Sequence, residues 1–105
     1  MSQIVKIDDV LQRLGQNRYQ EFLRVPAMSA GIYVLRAGAT DNQSPHKEDE
    51  IYYVVRGKSK MRLGREERPI SQGDVIFVEK MLEHRFLDIT EELMLLVIFA
   101  PAESS

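Results

Sequence analysis

Most of this chain consists of short runs of β-favouring residues that alternate with turn residues, and this pattern limits the fold more than any other feature. We predict strands at residues 19–25, 30–37, 50–55, 59–63, 75–78, 83–87 and 93–99. The connections are rich in Gly, Asn and Asp, which tolerate the backbone angles of tight turns. Short strands at even spacing without intervening helices predict an all-β fold, an antiparallel sandwich or barrel.

Length and composition exclude several classes of protein. The 105 residues are enough for one domain with a real core, so we predict a single domain over residues 1–105. The net charge of -2 and the scattered basic residues predict no nucleic-acid partner. No cysteine is present, which excludes disulfides and thiolate sites. Without a signal-peptide core or an apolar run long enough to span a bilayer, we expect a soluble, cytoplasmic protein with no membrane partner.

The N-terminal segment, residues 1–18, contains one predicted helix. Asp8 is placed to cap it, Val10 and Leu14 share a face, and Gly15 is placed to end it. The last predicted strand, 93–99, is apolar throughout, so it needs cover on both faces. The N-terminal helix or a second subunit provides that cover, and we favour a homodimer. The C-terminal residues 102–105 are predicted to form a flexible tail.

Turn residues predict how two of the strands connect. Gly57 lies between the strands at 50–55 and 59–63, so we predict that these two strands pair as a hairpin. The segment 65–68, Arg-Glu-Glu-Arg, mixes charges of both signs and is interpreted as a solvated turn.

The only two histidines and one carboxylate form a candidate metal site. Side chains alternate along a strand, so Glu50 and Tyr52 share a face. The same alternation points His84 inward, because its neighbours in the sequence are charged. His46 precedes Glu50 by four residues. Imidazoles and a carboxylate are typical metal ligands. Each residue also has an ordinary interpretation: His46 as a surface histidine, Glu50 as a solvated edge charge, and His84 as a core histidine bonded to a backbone carbonyl or to Asp88.

Two stretches of the chain resemble the motifs of the cupin superfamily. The first cupin motif ends in His-x-His, three or four residues, glutamate, six residues and glycine. His46, Glu50 and Gly57 match the second half of that pattern. The second motif begins with glycine and, further on, has a histidine, three intervening residues and an asparagine. Gly73, His84 and Asp88 follow its spacing, and the resemblance covers residues 30–100.

The resemblance implies a small antiparallel jelly-roll barrel of the conserved-barrel type, with a cavity and a metal near one mouth. It implies that His46, Glu50 and His84 hold a divalent transition metal, namely Fe, Mn, Ni or Zn. Three departures from the motifs stand out. The first histidine of His-x-His is Ser44, the proline and glycine of the second motif are Glu79 and Met81, and the asparagine is Asp88. Gln43, or less plausibly Gln72, offers an oxygen ligand that no spacing supports.

We therefore expect a metal-binding protein, and the function that fits best is an enzyme acting on a small organic molecule. Dioxygenase, isomerase and lyase chemistry all remain open. Tyr52 is the candidate catalytic residue, because its hydroxyl lies on the face of Glu50 and is able to orient substrate or transfer a proton. The alternatives are a non-catalytic module that binds a small ligand and a metal-free cupin with a structural site. The direction of Arg36 stays open; if it points inward, it favours an acidic substrate.

Overall fold

The computed structural model describes residues 3–104, which form one short helix and eight strands. In chain order these are α1 (Ile7–Leu14), β1 (Tyr19–Val25), β2 (Met28–Leu35), β3 (Asp49–Arg56), β4 (Lys58–Leu63), β5 (Glu66–Ser71), β6 (Val75–Val78), β7 (His84–Leu87) and β8 (Leu93–Ala100). Among the described residues, no helix is long and apolar enough to cross a membrane.

The strands form two antiparallel sheets. One sheet has five strands in the order β1-β2-β8-β3-β6, and the other has three in the order β5-β4-β7. Apolar side chains from the facing sides of both sheets form the main core, which includes Tyr52, Met61, Phe86, Leu95 and Phe99. This arrangement confirms the predicted small antiparallel barrel.

The central strand β8 is buried on both faces, as its unbroken apolar sequence predicts. Leu93 and Leu95 point into the main core, whereas Met94 on the opposite face packs in a second cluster with Val10 and Leu14 of α1. The helix therefore supplies part of the cover that this strand needs. An isolated helix of this length is marginal in water, so α1 depends on the packing of its apolar face against the sheet.

The ends of α1 agree only partly with the prediction. Gly15 ends the helix with a positive φ of 56°, and its N–H donates to the Leu11 carbonyl oxygen. Asp8, however, is not the cap. The N-cap position is Lys6, which makes no side-chain capping bond, and Asp8 lies within the first turn. There its negative charge interacts favourably with the positive end of the helix dipole.

The predicted hairpin between β3 and β4 is wrong. β3 pairs with β6 and β8, whereas β4 pairs with β5 and β7, so the chain crosses from one sheet to the other at Gly57. Gly57 has a φ of 97°, and a Cβ atom there would collide with the carbonyl oxygen of Glu92. The glycine is needed for this close approach between backbones rather than for a hairpin turn.

The charged segment 65–68 is not a turn along its whole length. Only Gly64 and Arg65 form the turn, and Glu66 begins β5. This strand lies at the edge of its sheet and is mostly exposed, so charged side chains cost little there. Glu67 lies opposite Arg62 of β4 and pairs with it at 2.6 Å. The charged segment is thus the start of an exposed edge strand, and the Arg62–Glu67 pair adds a favourable cross-strand contact with β4.

The C-terminal segment differs from the predicted flexible tail. The backbone N–H of Glu103 donates to the Ser29 hydroxyl at 2.9 Å, and the N–H of Ser104 donates to the Glu48 carboxylate at 3.1 Å. These bonds hold residues 102–104 beside the barrel. Ser105 lies outside the described residues.

Candidate metal centre

His46 lies in the loop that precedes β3, and its position is fixed by the loop before β7. The backbone N–H of Met81 donates to the His46 carbonyl oxygen at 2.7 Å. Met81 has a positive φ of 67°, a conformation that suits glycine best, which is the residue that the second motif has at this position. The His46 ring also packs edge-on against Phe99, with ring centroids 5.0 Å apart. Its side chain is 20% exposed, so His46 is not the surface histidine of the ordinary interpretation.

Glu50 and His84 come from different sheets and meet inside the barrel. Glu50 lies on β3 and His84 on β7, and their exposed fractions are 2% and 1%. The Nε2 atom of His84 lies 2.9 Å from Oε1 of Glu50. On the other side of the ring, Nδ1 of His84 lies 2.9 Å from the Leu82 carbonyl oxygen. Because that carbonyl only accepts, Nδ1 carries the hydrogen, and the lone pair of a neutral His84 lies on Nε2.

The three predicted residues come together. Nε2 of His46 lies 3.9 Å from Oε1 of Glu50, and one ligand atom from each of His46, Glu50 and His84 lies within 4.8 Å of the others. Both carboxylate oxygens of Glu50 are buried, and while His84 is neutral neither accepts a hydrogen bond from a described residue, because the nearest nitrogen, Nε2 of His84, then carries a lone pair. A buried carboxylate with no donor is costly unless a cation neutralises it. Glu50 is therefore not the solvated edge charge of the ordinary interpretation.

The environment shifts two pKa values in this group. Burial acts to lower the pKa of His84, but the Glu50 carboxylate and the Leu82 carbonyl oppose it, and the net shift is upward. Burial, together with the negative charge of Glu50, raises the pKa of Tyr52 well above its usual value. Tyr52 is therefore a neutral phenol with a hydrogen to donate at physiological pH.

Gln43 also belongs to this group, although no spacing in the sequence supports it. Its amide nitrogen donates to Asp41 at 2.8 Å, which turns its Oε1 atom toward the site. That oxygen lies 3.2 Å from Nε2 of His46 and accepts from the Tyr52 hydroxyl at 3.0 Å. The buried Asp41 that orients Gln43 also accepts from the Phe86 backbone. The only hint in the sequence is an acid two residues before an amide in a turn-rich loop.

Other residues singled out in the sequence lie away from the site. Ser44 and Gln72 are exposed, so neither replaces the missing histidine. Arg36 points outward and donates to the Gly15 carbonyl oxygen, which removes the argument for an acidic substrate. Asp88 is exposed and pairs with Lys60 at 3.6 Å, so it does not bond His84.

A cavity of about 170 Å³ is lined by His46, one of the three candidate ligands. Its walls include the phenol rings of Tyr19, Tyr33 and Tyr52, together with Gln43, His46, Val97, Phe99 and Glu103. This volume is below the usual range of ligand pockets, so the cavity suits only a small organic molecule. Tyr52 also lines this cavity, and its hydroxyl lies 3.2 Å from Nε2 of His84.

Comparisons with known proteins agree with this architecture. An uncharacterized protein of Streptomyces coelicolor is 44% identical over 86 residues, which cover 82% of each chain. The solved structure of an uncharacterized conserved protein with a double-stranded β-helix domain from Klebsiella pneumoniae matches with a TM-score of 0.81 at 15% identity, covering 96% of this chain and 91% of that one. The DMSP lyase DddQ from Ruegeria pomeroyi matches with a TM-score of 0.70 at 19% identity, covering 82% of this chain and 48% of that one.

The structural matches, at this level of identity, concern the fold alone. The family is given by a second comparison, in which residues 31–99 match the model of the cupin domain. That stretch contains both motifs and all three candidate ligands. The chain belongs to the cupin family.

Proposed function

We propose that this protein is a metal-dependent enzyme that acts on a small organic molecule in the barrel cavity, with His46, Glu50 and His84 as the metal ligands. The observation that carries the proposal is the buried carboxylate of Glu50, which has two imidazole nitrogens nearby and, while His84 is neutral, no hydrogen-bond donor among the described residues. A core that needed only packing would be more stable with an apolar residue at this position.

The donor set fits a divalent transition metal. Neutral imidazoles and a carboxylate suit Fe, Mn, Ni or Zn, and affinity alone does not select among them. Gln43 adds a neutral oxygen on the same side, held there by its bond to Asp41. We propose Gln43 as the side chain that takes the place of the histidine absent at Ser44.

When bound, the metal would supply a Lewis acid that polarises a substrate oxygen. The residues of the chain would orient the substrate and manage its protons. The cavity walls are mainly apolar, and the Tyr52 hydroxyl donates to the Gln43 Oε1 atom beside the candidate ligands. We assign Tyr52 the role of orienting the substrate or transferring a proton to it. Dioxygenase, isomerase and lyase reactions all suit this arrangement, since one barrel supports many chemistries.

Metal analysis of tag-free protein tests the proposal. We expect near-stoichiometric metal in the wild type after reconstitution with Fe(II), Mn(II), Ni(II) or Zn(II), and loss of that metal in both His46→Ala and His84→Ala. Ser44→Ala is the matched control, since the side chain is exposed and lies at a motif position for histidine. It should retain the metal. A wild-type protein that binds none of the four metals would overturn the proposal in favour of a metal-free cupin.

A second function, a non-catalytic module that binds a small ligand, is favoured by Gln43. If this oxygen and further protein groups fill every coordination position, no substrate reaches the metal. Water proton relaxation of the Mn(II)-loaded protein separates the two functions. Rapidly exchanging metal-bound water supports the enzyme, whereas its absence supports the binding module.

We also propose that the protein is a homodimer. The support is a set of exposed apolar side chains on the outer face of the five-stranded sheet, on strands that α1 leaves uncovered: Ile51, Tyr53, Val75 and Phe77. The cytoplasmic location expected from the sequence likewise stays a prediction.

A further inference from the structure

We propose that the C-terminal segment, residues 102–104, is part of the metal centre, and that Glu103 is the positioning residue that orients His46. This inference rests on the proposed function, because it assumes that His46 is a metal ligand. It assigns a role to a part of the chain that lies outside both motifs and outside the matched family region.

The backbone of this segment is held at several points beside the barrel. The N–H of Glu103 donates to the hydroxyl of Ser29, a residue on β2 with no exposed surface. The Arg24 guanidinium donates to the Glu103 carbonyl oxygen at 2.9 Å, and the N–H of Ala102 donates to the Pro26 carbonyl oxygen at 3.4 Å. Bonds on both sides of Glu103 fix the direction of its side chain.

A buried carboxylate in the loop of the first motif anchors the end of the segment. Glu48 lies two residues from both His46 and Glu50 and is only 4% exposed. Its Oε2 atom accepts from the hydroxyl of Ser104 at 2.7 Å and from the Ser104 N–H at 3.1 Å. Burying a charged group is costly without donors. The Ser104 donors therefore tie the C-terminal segment to the loop that carries His46.

The Glu103 side chain then lies directly behind the imidazole of His46. Its Oε2 atom is 3.5 Å from Nδ1 of His46, and the carboxylate forms part of the cavity wall. His46 has one ring hydrogen and two acceptors, the Glu103 carboxylate beside Nδ1 and the Gln43 Oε1 atom 3.2 Å from Nε2. The charged carboxylate is the stronger acceptor and favours hydrogen on Nδ1, which leaves the lone pair of Nε2 for the metal. His84 has the equivalent support from the Leu82 carbonyl oxygen behind its own Nδ1. Each candidate histidine ligand thus has an acceptor behind it, and for His46 the C-terminal segment supplies that acceptor.

The first test reads the histidine tautomers of the metal-free protein by ¹⁵N NMR, at a pH where both rings are neutral. We expect hydrogen on Nδ1 of both histidines in the wild type. In Glu103→Ala, the tautomer of His46 should shift toward hydrogen on Nε2, whereas that of His84 stays unchanged and serves as an internal control. An unchanged His46 tautomer would overturn the inference.

The second test measures metal affinity with Zn(II) as the probe. Glu103→Ala should weaken binding about 10- to 100-fold, the usual effect of removing a support behind a ligand. Glu103→Asp should recover part of the loss. Glu83→Ala, which removes an exposed carboxylate outside the cavity lining, is the matched control and should bind like the wild type. Binding of Glu103→Ala within twofold of the wild type would contradict a positioning role.

The two tests distinguish the failure of this inference from the failure of the proposed function. If the wild type binds no metal, the proposed function fails, but the tautomer measurement on metal-free protein still decides whether Glu103 orients His46. If metal binds and the tautomer does not respond to Glu103→Ala, the function stands and the C-terminal segment only packs against the barrel. Thermal unfolding of each variant checks that the fold is retained.

Discussion

Two buried carboxylates near the cavity illustrate how the surroundings of a residue reveal its role. Asp41 accepts hydrogen bonds from the Tyr33 hydroxyl at 2.7 Å, from the Gln43 amide at 2.8 Å and from the Phe86 N–H at 2.9 Å. Glu50 is equally buried, yet neither of its oxygens has such a donor among residues 3–104. Asp41 therefore stabilises the fold, whereas we infer that Glu50 is kept for binding.

This difference predicts opposite effects of two isosteric substitutions on the metal-free protein. At a pH where His84 is neutral, Glu50→Gln removes a buried charge that has no donor, so the free energy of unfolding should stay the same or rise by about 1 kcal/mol. Asp41→Asn disrupts satisfied hydrogen bonds and should lower it by about 1–3 kcal/mol. Denaturant unfolding measures both values.

With metal present, the wild type should become more stable to unfolding than Glu50→Gln. Adding excess metal should raise the unfolding midpoint of the wild type, because the ion binds only the folded state, but should not raise that of Glu50→Gln. If Glu50→Gln destabilises the metal-free protein as much as Asp41→Asn does, Glu50 is a structural residue instead.

At the scale of elements, the sequence predicts which side chains point inward but not which strands meet. Alternation along β3 and β7 places Tyr52 and His84 inside correctly, because the period of two is a local property of a strand. Strand pairing depends on distant parts of the chain. The signal at Gly57 indicates a turn, but the contact that requires glycine involves Glu92, which lies 35 residues further on, so a hairpin was the wrong inference.

The same reason explains why the sequence names Gln43 only as a ligand without motif support and misses Glu103 altogether. His46, Glu50 and His84 are predictable because they follow two spaced motifs. Gln43 takes its orientation from Asp41, and Glu103 takes its position from buried partners on other elements. No local pattern encodes these contacts, so only the folded arrangement brings the two residues to the site.

The crossing at Gly57 makes a testable prediction about stability. Gly57→Ala places a Cβ against the Glu92 carbonyl oxygen at a positive φ, whereas Gly73→Ala places one in open space at a similar φ of 95°. Gly73→Ala is the control, and its free energy of unfolding should fall by about 1–2 kcal/mol from the backbone angle alone. Gly57→Ala should lose about 1–3 kcal/mol more from the collision. Equal losses of unfolding free energy in the two variants, measured by denaturant unfolding, would contradict a close approach of Gly57 to the Glu92 backbone.

At the scale of the whole molecule, the helix covers only part of the outer face of the five-stranded sheet. The helix packs over the outer side of β2 and β8, with Ile32, Val34 and Met94 in its cluster. On β3 and β6 the outward side chains Phe77 and Tyr53 stay 61% and 40% exposed. A contiguous apolar surface of this kind is typical of a protein interface.

Light scattering at micromolar concentration tests whether a second copy covers this surface. The wild type should have twice the mass of one chain, and Phe77→Asp should shift it to the mass of one chain. Ile4→Asp is the matched control, since Ile4 is 95% exposed but does not lie on this sheet. It should remain dimeric. A wild-type mass equal to one chain would reject the homodimer.

Anomalous diffraction from crystals of the metal-loaded protein tests whether His46, Glu50 and His84 hold one metal ion together. We expect a single strong peak about 2.0–2.3 Å from Nε2 of both histidines and from a Glu50 oxygen. The peak should disappear in crystals of Glu50→Gln prepared in the same way. A peak found only elsewhere on the molecule, or no peak in protein that folds normally, would contradict a metal site formed by these three residues.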